Sequence, residues 1–200
     1  MSLKVYCGPM YSCKSKTMMG EINRWSDVNK QKALMINHQF DNRDTKHVIS
    51  SHSSLYKGLS DRMDSISCQQ LSTVDVSSYT IIGIDEINFF NDVEDLVNTI
   101  KTWIDQGKHI ICAGLDSDHQ MEPFGYISHL LHLSDSFTKL NAICDICKEE
   151  LILQGVIVTP VNSTPAPFTK KISHGDQLLY SNVVDIGGHD KYIAVCRKHH

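Results

Sequence analysis

The sequence predicts an α/β fold: a P-loop parallel sheet flanked by helices over residues 1–140, then a small zinc-ribbon-like C-terminal domain over residues 141–200. Three observations carry this reading. A short apolar run at residues 3–7 leads into Gly8-Pro9-Met10-Tyr11-Ser12-Cys13-Lys14-Ser15 and then into a helix-compatible stretch. Further along, apolar strands alternate with helical patterns, which implies parallel strands joined by right-handed crossovers. Beyond residue 140 the composition changes, and Cys144-Asp145-Ile146-Cys147 is answered by Cys196-Arg197-Lys198-His199 at the chain end.

The elements follow in order. Residues 3–7 read as a strand, and 15–29 as a helix with Met18, Ile22 and Trp25 near one face. Residues 33–37 are apolar and read as a second strand. Residues 41–78 are polar and weakly periodic, consistent with loops and short strands. Residues 79–85 form the clearest buried strand. Asn91 is expected to open the next helix, with Glu94 in a capping-box position. Val93, Leu96, Val97, Ile100, Trp103 and Ile104 recur at helical spacing, and Gly107 ends the pattern. A strand over 109–115 follows. The stretch carrying Pro160, Pro165 and Pro167 reads as a long loop, and residues 192–195 as a short strand.

Composition bounds the function. A chain of 200 residues suits one domain plus an appendage, and its net charge of −4 argues against a nucleic-acid-coating protein. No apolar run approaches the roughly 18 residues of a membrane span. The first strand begins too early to leave room for a signal peptide. Seven cysteines without a secretory signal fit reduced thiols and metal ligation, and hence a cytoplasmic location.

The opening run follows the phosphate-loop pattern G-x-x-x-x-G-K-[ST], with Cys13 at the second glycine. Backbone N–H groups of Gly8, Pro9's successors Met10, Tyr11 and Ser12, and Cys13 would face phosphate oxygens at a helix start. Lys14 can reach the terminal phosphates, and the Ser15 hydroxyl can ligate Mg²⁺. A side chain at position 13 strains a turn that favours glycine and crowds the phosphates. Asp85 and Glu86 end the buried strand, where ligands of open α/β sheets bind. Asp85 is assigned to the metal and Glu86 to the general base. Asp41 and Arg43 follow the second strand, where an arginine can clamp phosphate. Phe89 and Phe124 either stack on a base or pack in the core, and Phe90 is assigned to the core. Cys144, Cys147, Cys196 and His199 have the paired-knuckle spacing of a structural zinc site, with His200 as the alternative fourth ligand.

Taken together these residues resemble the small, zinc-containing (type II) thymidine kinases along nearly the whole chain. The loop from Gly8 to Ser15 resembles that family's opening loop, and Asp41-x-Arg43 its Asp-x-Arg element. Asp85-Glu86-x-Asn88-Phe89-Phe90 resembles its Asp-Glu-x-Gln-Phe-Phe segment, with Asn88 the shorter amide. Gly114-Leu115-Asp116, Pro123-Phe124-Gly125 and Ile186-Gly187-Gly188-His189-Asp190-Lys191-Tyr192 resemble further family elements. The resemblance implies phosphoryl transfer from ATP to the 5′-hydroxyl of thymidine. It implies Glu86 as base, Lys14 and Arg43 as phosphate stabilisers, and Mg²⁺ near Ser15, Asp41 and Asp85. It implies structural Zn²⁺ and a homotetramer, without nucleic-acid or membrane partners. A lasso over residues 149–192 would fold over the base, with Ile186 and Tyr192 covering it and Met10, Phe89, Leu115 and Phe124 lining its pocket. Residues 119–122 replace an aromatic and two basic residues of the family. That departure leaves deoxycytidine, deoxyuridine or a broad deoxynucleoside range as alternative substrates. Cys13 leaves a weakened nucleotide-binding paralogue as a third reading.

Overall fold

Alternation of side chains along four apolar strands divides the core into two layers. The structure is a computed structural model that describes residues 1–40, 63–172 and 191–200. Its central sheet contains β1 (Ser2–Cys7), β2 (Ala33–His38), β3 (Met63–Cys68), β4 (Ile81–Ile84), β5 (His109–Gly114) and β6 (Ser136–Lys139). The strand order is β3-β2-β4-β5-β1-β6, and every pairing is parallel. Helix α1 (Lys14–Asn29) follows β1, and α2 (Val93–Asp105) connects β4 to β5.

Leu3, Val5, Leu34, Ile36, Ile82, Ile84, Ile110 and Cys112 point to one face, where Leu96, Ile100 and Trp103 of α2 cover them. Ala33, Met35, Ile81, Ile111 and Ala113 point to the other, beneath Met18, Met19 and Ile22 of α1. Both faces of the sheet are therefore covered, as parallel sheets require. Gly83 lets α1 approach: a Cβ there would collide with the ends of Met35 and Ile22.

Three local expectations are corrected. Trp25 is not on the buried face of α1; it is 40% exposed, and Ser26 takes the place two turns after Met18. Its indole instead donates to Glu21 on the exposed side. Asp92 rather than Asn91 caps α2, because its carboxylate accepts the N–H groups of Glu94 and Asp95, each at 3.0 Å. A charged acceptor is favoured at that positive helix end. The proline-bearing stretch is not one long loop. It contains part of α3 (Asp145–Leu153), β8 (Pro165–Ala166) and β9 (Phe168–Lys171). Among the described residues β8 pairs only with β7 (Ala142–Ile143), and a two-residue edge strand tolerates Pro165.

β9 pairs antiparallel with β10 (Tyr192–Val195), and this hairpin packs with α3 into a separate small core. Lys139 at the end of β6 holds Asp116 in an ion pair of 2.5 Å and lies 5.7 Å from the Phe168 ring, joining that core to the sheet. Among the described residues, no helix is long and apolar enough to cross a membrane.

Lys108 is buried at the start of β5, where its ammonium donates to the carbonyls of Val76, Ser77 and Tyr79 at 2.8, 3.3 and 2.7 Å. Replacing it with Met removes this donor from the Ser77 and Tyr79 carbonyls and leaves the Val76 carbonyl with the Tyr79 N–H, at a cost of about 2–3 kcal/mol. A thermal melt of Lys108→Met should show a Tm roughly 5–10 °C lower. An unchanged Tm would contradict this account of the turn before β5.

Candidate active site

The carboxyl ends of β1, β4 and β5 meet at one edge of the sheet, and the loop from Gly8 to Cys13 crosses it before α1 begins. Gly8 has φ 138°, and a Cβ there would strike the Leu140 carbonyl. Cys13 lies in the left-handed region, φ 61° and ψ 25°, as its place at the second glycine position implied. Tyr11 shares that region at φ 66°. Left-handed backbone at a non-glycine residue costs of order 1–3 kcal/mol and is held here by the surrounding contacts. Ser12 Oγ donates to the Pro9 carbonyl at 2.8 Å and closes the turn.

Lys14 is buried, and its ammonium donates to the same Pro9 carbonyl at 2.7 Å. Burial pulls its pKa down, against the charges of Glu86, Asp85 and Asp116. Ser15 Oγ donates to Asp85 Oδ1 at 3.0 Å. This hydroxyl–carboxylate pair at a phosphate-loop helix start could hold a Mg²⁺ ion, whose hard oxygen ligands it supplies. Burial, followed by the neighbouring Glu86 charge, pushes the Asp85 carboxyl up to about 7. The hydrogen bonds from Ser15 and from the Glu86 N–H, the latter at 2.9 Å, act in the opposite direction. Glu86 itself is left-handed, φ 47° and ψ 42°, and begins the short turn Ile87–Phe89.

Phe89 and Phe124 meet edge-to-face with centroids 5.9 Å apart, while Phe90 is buried in the sheet core. Leu115 is fixed beside them, its N–H donating to Asn88 Oδ1 at 2.8 Å. Tyr192 reaches the same loop, 6.4 Å from the His119 ring. The phosphate loop touches the C-terminal hairpin directly. Met10 N–H donates to Thr169 Oγ1 at 3.0 Å, and Tyr11 Oη donates to the Tyr192 carbonyl at 3.3 Å. Met10 and Tyr192 are thus joined through the β9–β10 pair and the loop from Gly8 to Cys13, while Leu115, Phe124 and Phe89 are joined through Asn88 and their own ring contact. Asp41, Arg43 and Ile186 lie outside the described residues.

Thr169 was missed by sequence reasoning, because it meets Met10 only through the β9–β10 pairing of Thr169 with Ala194. His38, which the sequence does not single out, is buried at the end of β2, accepting the Phe40 N–H at 3.1 Å and meeting Phe90 edge-on at 4.8 Å.

Cys144, Cys147, Cys196 and His199 place their ligand atoms within 4.8 Å of one another. The His199 Nδ1 is 3.5, 3.4 and 3.6 Å from the three sulfurs, and Cys147 and Cys196 are 3.9 Å apart. A tetrahedron with Zn–S bonds of about 2.3 Å has edges of about 3.8 Å, so the set fits zinc. His199 Nε2 lies 3.7 Å from Glu150, a carboxylate of the kind that orients a ligating imidazole. His200 is not in the cluster; its ring packs on Phe168 at 5.6 Å.

A family model described as thymidine kinase matches residues 1–200. The chain is 34% identical over 199 residues to the thymidine kinase of Choristoneura fumiferana entomopoxvirus, covering 98% of this chain and 95% of that protein. It is 34% identical over 200 residues to the thymidine kinase of Choristoneura biennis entomopoxvirus, with the same coverage. Among solved structures it is similar to domain III from the Thermotoga maritima replication initiation protein DnaA, with a TM-score of 0.42, 13% identity and coverage of 80% of this chain and 65% of that one. With the whole sequence matched and relatives above 30% identity on nearly full length, this chain belongs to the thymidine kinase family.

Proposed function

We propose that this protein transfers the γ-phosphoryl group of ATP to the 5′-hydroxyl of thymidine, with Glu86 as general base. The observation that carries this reading is the Ser15–Asp85 pair at 3.0 Å, with Glu86 next in the chain and aromatic residues immediately beyond it. A phosphate loop, a candidate metal-binding pair, a candidate base and two aromatic rings then follow the carboxyl ends of β1, β4 and β5.

The 5′-hydroxyl gives its proton to the Glu86 carboxylate as its oxygen bonds the γ-phosphorus. The bond from that phosphorus to the bridging oxygen breaks, and ADP leaves with the electron pair. Lys14 exchanges its Pro9 partner for phosphate oxygens, and Arg43 joins it in neutralising the developing charge. Gly8 to Cys13 offer backbone N–H groups to the phosphates. Mg²⁺, held by Ser15, Asp85 and Asp41, supplies charge neutralisation when bound. Met10, Phe89, Leu115, Phe124, Ile186 and Tyr192 hold the nucleoside. Zinc on Cys144, Cys147, Cys196 and His199 staples the hairpin that carries Tyr192, and four chains assemble into the working enzyme.

The titration of Asp85 gives a test of metal binding. Its folded pKa lies above the ordinary carboxylate value, so its contribution to stability falls as pH rises from about 4 to about 7. The anion needed for Mg²⁺ forms only as pH rises through that folded value. Calorimetric affinity for Mg²⁺·ATP should therefore rise up to about tenfold from pH 6 to pH 8. Asp85→Asn should flatten the rise, and equal slopes for the two proteins would contradict the metal role.

A second reading, phosphorylation of another pyrimidine deoxynucleoside, is favoured by the polar His119 beside Tyr192. Turnover with ATP and a panel of thymidine, deoxyuridine and deoxycytidine separates the two. Thymidine is expected to give the highest kcat/KM. Preference for deoxycytidine would overturn thymidine as substrate, and binding without turnover would overturn the enzyme.

A further inference from the structure

Asn88 stands where three segments of the pocket meet, yet it has no place in the phosphoryl-transfer machinery described above. It is fully buried. Its Oδ1 accepts the Leu115 N–H at 2.8 Å, which fixes the loop after β5. Gly114 provides the room for that oxygen: a Cβ there would stand 2.6 Å from Oδ1 and 2.8 Å from Ile87 Cγ2. On its other side the Asn88 backbone presses on Gly125, which is left-handed at φ 65°, and a Cβ there would collide with the Asn88 carbonyl. Gly125 follows Phe124, and Asn88 precedes Phe89, so the two rings that meet at 5.9 Å are each one residue from this contact.

The Asn88 Nδ2 is buried without a hydrogen-bond partner. An unpaired buried donor carries a desolvation cost that an apolar side chain would avoid. Space-filling alone therefore does not account for an amide at this position. The carbonyl half of the amide does account for it, because it satisfies the Leu115 N–H in a partly buried turn.

We propose that Asn88 is the positioning residue of the nucleoside pocket. Its side chain sets Leu115, and its backbone sets the Phe124 loop against Phe89. Asn88 acts through these residues rather than on the reacting atoms. The inference rests on the reading of this space as the thymidine site.

The test combines Asn88→Ala, Asn88→Gln and Gly114→Ala in the full-length zinc-loaded protein. Asn88→Ala should raise the thymidine KM and Kd about tenfold while kcat at saturation and the ATP KM stay within about twofold. Asn88→Gln, which keeps the amide carbonyl, should recover most of that loss. Gly114→Ala displaces the Asn88 oxygen without removing it, and should raise the thymidine KM similarly. Combined with Asn88→Ala its effect should be less than additive, because the nearest of the atoms it strikes is gone while Ile87 remains.

Amide hydrogen exchange supplies a readout that needs no substrate. Asn88→Ala should speed exchange at Leu115 and at the Phe124–Gly125 segment together. Unchanged exchange at both, or a thymidine KM within twofold of wild type in folded Asn88→Ala, would overturn the inference. So would an equal rise in the ATP and thymidine KM values. A wild-type protein that leaves thymidine unphosphorylated would overturn the activity reading, and the exchange result would still decide the role of Asn88.

Discussion

Glu86→Gln is expected to lower kcat by about 10²–10⁴ while thymidine affinity stays within a few-fold. The substitution is nearly isosteric, and the backbone at this position is what the turn depends on. Glu86 N–H donates to Asp85 Oδ1 at 2.9 Å, and the left-handed conformation at φ 47° continues into the Ile87–Phe89 turn. Glutamine can keep both features. It cannot accept the hydroxyl proton as the oxygen–phosphorus bond forms. A second signature accompanies the loss. The Glu86 charge is one of the causes that hold the Asp85 pKa up, second to burial. Removing it should move the pH dependence of Mg²⁺·ATP binding to lower pH. Rapid-quench kinetics give the first quantity, and calorimetry at several pH values gives the second. Near-normal kcat in Glu86→Gln would remove Glu86 from the base role.

Loss of zinc is expected to have a comparably large effect by a different route. The small core of α3 and the β9–β10 hairpin has few large side chains, with Ala142, Ala166 and Ala194 among its buried members. A core of that size is expected to depend on a metal held by Cys144, Cys147, Cys196 and His199, and structural zinc contributes folding free energy of order 10 kcal/mol in isolated modules. The hairpin in turn carries Thr169, which accepts from Met10, and Tyr192, whose carbonyl accepts from Tyr11. Cys196→Ser, or exhaustive chelation, should therefore release the hairpin and abolish thymidine binding at millimolar concentrations. The two-layered sheet core should remain folded, because none of its buried side chains comes from the zinc module. Circular dichroism, zinc content and thymidine calorimetry on one preparation measure all three. Full thymidine affinity in zinc-free protein would contradict the role given to the module.

The strands of the sheet interior were legible from their apolar content. β2, β4 and β5 are buried on both faces and read as nearly continuous apolar runs, while β1 alternates buried Leu3, Val5 and Cys7 with half-buried Ser2, Lys4 and Tyr6. β3 and β6 were not, and they are the two edges of the sheet. Met63-Asp64-Ser65-Ile66-Ser67-Cys68 exposes Ser65, Ile66 and Ser67, so its hydrophobic pattern is too weak to mark a strand. The phosphate loop, the Asp85-Glu86 pair and the zinc ligands are short-range patterns with fixed spacing, and each was visible locally. Thr169 and the burial of His38 arise from contacts between distant segments and leave no local signal. The choice of His199 over His200 depended on where the chain end turns, which spacing alone left open.

The most direct test is a single turnover with γ-labelled ATP, Mg²⁺, zinc-loaded enzyme and excess thymidine, quenched within milliseconds. The label should pass directly to thymidine and appear as thymidine 5′-monophosphate, with no labelled protein at any time, and Glu86→Gln should delay its appearance by at least about a hundredfold. Label released as inorganic phosphate, retained on the protein, or transferred to thymidine at the wild-type rate without Glu86 would contradict direct transfer assisted by that carboxylate.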